Sequence, residues 1–162
     1  MECNSMAYDS RKGKEILKYL IAHGVHDMYH ILKAVYFADQ YHLERYGRQV
    51  NGNRFVALPY GPVPSEMYDF IKAARTGIVP GFDVVDHDVY CDEAPDLSWM
   101  SESDIEALDH AVDMVSKLDF GELKDKSHDD AYNSVGLNQT IPVESIVAGF
   151  ENADLILEYL HR

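Results

Sequence analysis

Apolar residues recur at helical spacing along most of this chain, and short polar or glycine-rich breaks divide the pattern into elements. A first helix is predicted from Ser10 as its cap, with Ile16, Leu17 and Leu20 on one face and Gly24 ending it. Asp27 caps a second, longer helix. From Met28 onward Ile31, Leu32, Val35, Tyr36, Leu43 and Tyr46 keep one face apolar, and Gly47 stops the run. Asn51-Gly52 reads as a tight turn and Arg54 to Leu58 as a short strand. Pro59 to Pro64 is predicted to lie outside regular structure, because each proline lacks a backbone donor and restrains the residue before it. A third helix follows from about Ser65, with Met67, Phe70, Ile71 and Ala74 inward and Thr76-Gly77 closing it.

Beyond Pro80-Gly81, Phe82 to Val85 and Val89 to Cys91 read as a hairpin turning at His87-Asp88. Ser101 to Asp104 has the form of a capping box, and Ile105, Leu108, Val112 and Val115 give the stripe of a fourth helix. A short helix is predicted around Glu122 to Lys126, a loop over residues 135–141, and helical sequence from Pro142 to about His161 with a break near Gly149. Neither an internal repeat nor a low-complexity linker interrupts the pattern. The expectation is one mainly helical α+β domain over residues 1–162 with a small β-hairpin or sheet, its first ten residues loose.

Composition narrows the function classes. Hydrophobic residues make up 46% and charged residues 26% of the chain, as in ordinary globular proteins. The two cysteines, Cys3 and Cys91, form no disulfide framework or zinc-ribbon spacing, which suits a reducing cytoplasm. The first residues lack the pattern of a secretion signal, and no apolar run approaches the roughly 18 residues that span a bilayer. Net charge is -14 and unevenly spread: residues 1–82 carry 8 acidic against 10 basic side chains, residues 83–130 carry 16 against 3, and residues 131–162 carry 4 against 1. So acidic a surface repels phosphate backbones, which disfavours direct nucleic-acid binding, and attracts a basic partner instead. Acidic surfaces also simply keep proteins soluble.

Candidate chemistry is sparse. Asp39 and His42 fall three residues apart on the inward stripe of the second helix, where neither is tolerated without partners. They read either as a catalytic or metal-binding pair or, more simply, as a polar clamp holding the proline-rich loop, with Tyr60 bonded to one of them. The eight histidines show no HExxH pattern, and no cysteine pair has zinc spacing. No nucleophile elbow, phosphate-binding loop or dinucleotide fingerprint is present, and Cys91 lacks a basic neighbour that would activate it. Asp129-Asp130 reads as a helix N-terminal charge patch. No enzyme activity, metal or cofactor is expected. The competing enzyme reading would use Asp39, His42 and His128.

The string from Tyr36 to Arg48, YFADQYHLERYGR, followed by FVALPYGPVPSEMYDFIK, resembles the Panacea domain of SocA-like antitoxins. The matching elements are Tyr36-Phe37-Ala38, His42 and Tyr60-Gly61-Pro62. Downstream, SWMSESDIEALDHAV is similar to the serine-capped helix of that family, and Ser127-His128 with Tyr132 to its closing histidine-plus-aromatic motif. The aromatic there is often tryptophan and is tyrosine here. The resemblance covers about residues 28–133. It implies a non-enzymatic, mostly helical protein of bacteria or phages that neutralises a partner toxin by direct binding, or an adaptor that delivers the toxin to a protease. A nucleic-acid mimic is a further alternative. On the residues alone, Asp39, His42, Tyr60 and His128 are candidates for a structural polar cluster. Tyr60, Gly61, Pro62 and Pro64 are candidates for a preorganised contact with the partner.

Overall fold

The computed structural model describes residues 6–161. Its elements run α1 (Ser10–Ala22), α2 (Met28–Tyr46), β1 (Phe55–Leu58), β2 (Gly61–Pro64), α3 (Ser65–Arg75), β3 (Phe82–Val85), β4 (Asp88–Cys91), a 3₁₀ turn (Leu97–Trp99), α4 (Glu102–Ser116), α5 (Phe120–Ser127), α6 (Asp130–Asn133), α7 (Val143–Val147) and α8 (Ala153–Leu160). This is an α+β fold, mainly helical, with two small antiparallel two-stranded sheets among the described residues.

The hub is α2. Every residue from Ile31 to Ala38 is buried, so the middle of this helix is enclosed all round rather than facing the core on one stripe. It packs most extensively on α4, and also touches α3, β2, α5, α7 and α8. Small side chains shape the α4 face. Ala107, Leu108, Ala111 and Val115 are buried, whereas Ile105 and Val112 of the expected stripe are only half-buried. Two alanines let the helices approach closely, which turns the buried face away from the larger residues. Helix ends follow their chemistry. Asp27 accepts from the His30 N–H, Gly47 is left-handed (φ 76°), and Ser101 and Asp104 form a reciprocal capping box.

Four sequence expectations need correction. Asp9, not Ser10, caps α1, because the Asp9 carboxylate reaches the N–H groups of Arg11 and Lys12 while Ser10 is already helical. The expected loose stretch lies outside the described residues over 1–5. By Asp9 the chain is fixed, its N–H donating to Asn51 Oδ1 at 3.2 Å. The hairpin turns at Asp86-His87, one residue earlier than expected, with Asp86 at φ 56° and Val85 opposite Asp88. The fourth correction bears on function.

Gly61–Pro64 is a strand, not irregular chain. It pairs with β1 in the register Phe55↔Pro64, Val56↔Val63, Ala57↔Pro62 and Leu58↔Gly61. The prolines permit this because they alternate. The Ser65 N–H donates to the Arg54 carbonyl (2.9 Å), whereas the Pro62 carbonyl faces the other way, toward Lys33 (2.8 Å). Pro62 and Pro64 therefore sit where their missing donors fall on the outer edge, the one place a strand tolerates them. The opposite edge of β1 is covered as well. Ala57 N–H donates to Gln139 (3.0 Å) and Ile141 N–H to Phe55 (2.8 Å), so part of the 135–141 loop is extended along the sheet. The strand is thus screened from edge-to-edge association.

Candidate functional site

Two buried polar networks flank α2, and they hold different loops. In the first, Asp39 Oδ1 accepts from the Val50 N–H (2.9 Å) and Oδ2 from Gln49 Nε2 (3.1 Å), while Gln49 Nε2 also reaches the Asn53 carbonyl (2.8 Å). Burial pushes the Asp39 pKa up to about 7 against these hydrogen bonds and the Lys12 charge, which favour the ionised form. His42 lies 2.7 Å from the Arg48 carbonyl through Nδ1 and 2.8 Å from Ser103 Oγ through Nε2. A carbonyl can only accept, so Nδ1 carries the proton and Nε2 accepts from the serine. Burial lowers the His42 pKa, consistent with this neutral tautomer.

Beside His42 sits Asp104, 1% exposed, paired with Lys12 Nζ (2.8 Å) and Arg48 Nη2 (3.0 Å). Burial alone would raise the Asp104 pKa. The Lys12 and Ser101 hydrogen bonds and the two cationic charges outweigh it and hold the carboxyl below its usual range. This network joins α1, α4 and the loop after α2. Asp39 and His42 therefore clamp residues 48–53 rather than the proline-rich hairpin, and each bonds to the loop instead of to the other. The inward placement put both on the correct face. It left open which of two neighbouring loops they would meet.

The hairpin has its own fastening. Tyr132 Oη donates to the Leu58 carbonyl (2.6 Å), Tyr29 Oη to the Tyr60 carbonyl (2.6 Å) and Lys33 Nζ to the Pro62 carbonyl (2.8 Å). Three side chains from α2 and α6 thus take every second carbonyl through the turn. Gly61, at φ 122°, allows the close approach, since a Cβ there would lie 2.6 Å from Ser127 Oγ and 3.0 Å from Lys33 Cε. His128 stacks on Tyr132 with ring centroids 4.3 Å apart. Burial, with the charges of Lys124 and Lys33, lowers the His128 pKa. Asp129 caps α6 and accepts from Tyr36 Oη (2.7 Å) and Gln40 Nε2 (2.9 Å), so it anchors α6 to α2 rather than serving as a mere charge patch.

The four cluster candidates therefore separate. Asp39 and His42 hold one loop, His128 stacks at the foot of the hairpin, and Tyr60 bonds to neither Asp39 nor His42. The contact candidates separate too. Gly61, Pro62 and Pro64 are buried because β2 packs between β1, α2 and α5, which leaves Tyr60 (57% exposed) as the one surface residue of the four. Its ring meets Phe120 edge to face (5.5 Å), and the Lys124 ammonium lies 5.7 Å from it. Phe120 is itself 46% exposed and also touches Tyr29 (4.3 Å). Among the described residues no group of three His, Cys, Asp or Glu side chains is placed to hold a metal ion. Burial raises the Cys91 pKa.

Residues 31–132 match the family model described as antitoxin SocA-like, Panacea domain. The chain belongs to that family. No curated protein and no solved structure matches it. Apart from Lys12 and Tyr29, the residues of both networks around α2 fall within the Panacea segment, as does the exposed Tyr60–Phe120 pair. Lys12 of α1 and the 138–141 stretch lie outside it, yet the first completes the Asp104 pairing and the second covers the edge of β1. Sequence reasoning missed Lys33 and Tyr29, and saw Asp104 only as part of a capping box. Only Lys33 carried a signal, as a lysine inside the otherwise apolar run Ile31-Leu32-Lys33-Ala34-Val35.

Proposed function

We propose that this Panacea-domain protein is an antitoxin that neutralises a partner toxin by binding it directly, without catalysing a reaction, in the cytoplasm. The observation that carries the reading, beside family membership, is the Tyr60–Phe120 pair on a hairpin tip pinned by Tyr132, Tyr29 and Lys33. Exposed aromatic residues on a rigid support are the usual anchors of protein interfaces, because little conformational freedom is lost when they dock. The acidic stretch from residue 83 to 130 supports a basic partner, drawn in by long-range attraction that speeds encounter more than it tightens the complex. No helix among the described residues is long and apolar enough to cross a membrane.

The test is co-expression of the product of the adjacent reading frame with and without this protein, followed by pulldown. Rescue of growth together with a stable complex is expected. Persistent growth arrest with no complex sinks the reading. Rescue accompanied by falling toxin levels that depend on one protease would turn sequestration into delivery.

A further inference from the structure

The most unusual group outside the loop clamps is Lys33. It is 1% exposed, and among the described residues its ammonium pairs with no carboxylate: it donates to the Pro62 carbonyl (2.8 Å) and lies over the Tyr29 ring (4.7 Å). Beside it opens a cavity of about 570 Å³, within the range of small-molecule sites, whose exposed lining is mostly apolar. Lys33 forms part of its wall together with Tyr29, Leu32, Val63, Tyr68 and Phe120. Among the described residues the one carboxylate on the rim, Asp27, is turned to the His30 N–H and ring (both 2.9 Å) rather than to the lysine.

We propose that this cavity binds small alkyl or aryl monocarboxylic acids, with the carboxylate on the Lys33 amine and the apolar body along Tyr29, Leu32, Val63, Tyr68 and Phe120. The case rests on charge complementarity. A cation in an apolar surround is costly unless it is paired, and one neutral carbonyl uses a single N–H of three. A strut to Pro62 needs only a neutral donor, as Tyr29 and Tyr132 supply at the neighbouring carbonyls. A ligand carboxylate would meet the remaining donors as a charge-assisted pair in a low-dielectric pocket, where such bonds are strongest. Burial pulls the amine down to about 7, as expected of a cation still lacking its counter-ion. The proposal does not depend on the antitoxin reading, although Tyr60 and Phe120 belong both to the cavity lining and to the proposed partner contact.

The test is calorimetric titration of the full chain with octanoate and with octanol, which share the apolar body and differ in the charge. Octanoate should bind about tenfold or more tighter than octanol. Lys33→Met should leave octanol binding in place and reduce octanoate to its level. Phe120→Ala, a half-exposed wall residue, should weaken both. Equal affinity of acid and alcohol for the unaltered protein overturns the proposal, and that comparison needs no variant to fold. Absence of saturable binding by octanoate up to about 1 mM, or selectivity that survives Lys33→Met, overturns it as well.

Discussion

Tyr36 Oη donates to Asp129 Oδ2 at 2.7 Å, joining the buried centre of α2 to the residue that caps α6. The bond ends on a carboxylate, so it belongs to the stronger class, and burial, with the nearby Asp129 charge, raises the tyrosine pKa. Tyr36→Phe should cost about 1.5–3 kcal/mol, read as a lower urea midpoint with unchanged slope. Gln40 still reaches Asp129, so α6 should stay docked and the far-ultraviolet spectrum should not change.

Much of this fold was legible because period and punctuation agreed along α1, α2, α3 and α4. Asp27, Gly47 and Ser101 mark ends that the structure reproduces. The β2 strand was not legible, since its regularity depends on which edge each proline presents, and that depends on Lys33 and β1. The polar networks were half legible. Asp39 and His42 lie on the inward face, but their partners come from the backbone of a loop whose path no local pattern encodes. Asp104 was visible only as a capping residue. Its pairing with Lys12 spans most of the first hundred residues, beyond any local signal.

Asp104 is itself buried and ties the mostly buried Lys12 to the partly exposed Arg48, so removing it leaves two cations facing each other. Asp104→Ala should destabilise the protein by about 3–5 kcal/mol, measured by chemical denaturation at neutral pH. The native carboxyl has a pKa below its unfolded value of 3.8, so the native state resists protonation there. Its contribution is complete above the unfolded value and disappears as pH falls through the lower folded one. The gap between the unaltered protein and Asp104→Ala should therefore narrow in strong acid. A constant gap would contradict this pairing.

Lys33 predicts a dependence of the same sign in a higher pH window, but with the substituted protein as the more stable one. Its amine is held at about 7 by burial, against an ordinary 10.5, so between those values the unfolded chain binds more protons than the native one. Stability contributed through this group rises with pH across that window and is lowest below pH 7. Lys33→Met removes the penalty. It should be more stable than the parent by about 1–4 kcal/mol near pH 6, with the advantage shrinking toward pH 9. Loss of the Pro62 bond sets the lower end of that range.

Gly61 is the tightest backbone position of the hairpin, with φ 122° and no room for a Cβ between Ser127 and Lys33. Gly61→Ala should cost about 1–3 kcal/mol for the backbone strain alone, before the steric displacement is added. Its signature is structural as well: shifted amide resonances at Tyr60 and Ser127, and weaker protection of the β1–β2 amides from exchange. An unperturbed hairpin would mean that the close contact is not maintained in solution.

Tyr60 separates scaffold from contact. Its carbonyl is held by Tyr29, but the residue is 57% exposed and its ring meets Phe120 and Lys124 at the surface. Tyr60→Ala should therefore leave stability within about 0.5 kcal/mol of the parent, as for surface substitutions away from special geometry. If the ring anchors a partner, affinity for the toxin should fall by about tenfold or more, mainly through faster dissociation. Charge reversal at exposed acidic residues such as Asp83 and Asp86 should behave differently, slowing association and flattening its decline with salt while leaving dissociation nearly unchanged. Surface plasmon resonance over a salt series distinguishes the two. Unchanged dissociation in Tyr60→Ala, with the variant folded, would move the interface away from the hairpin tip and toward the acidic half of the chain.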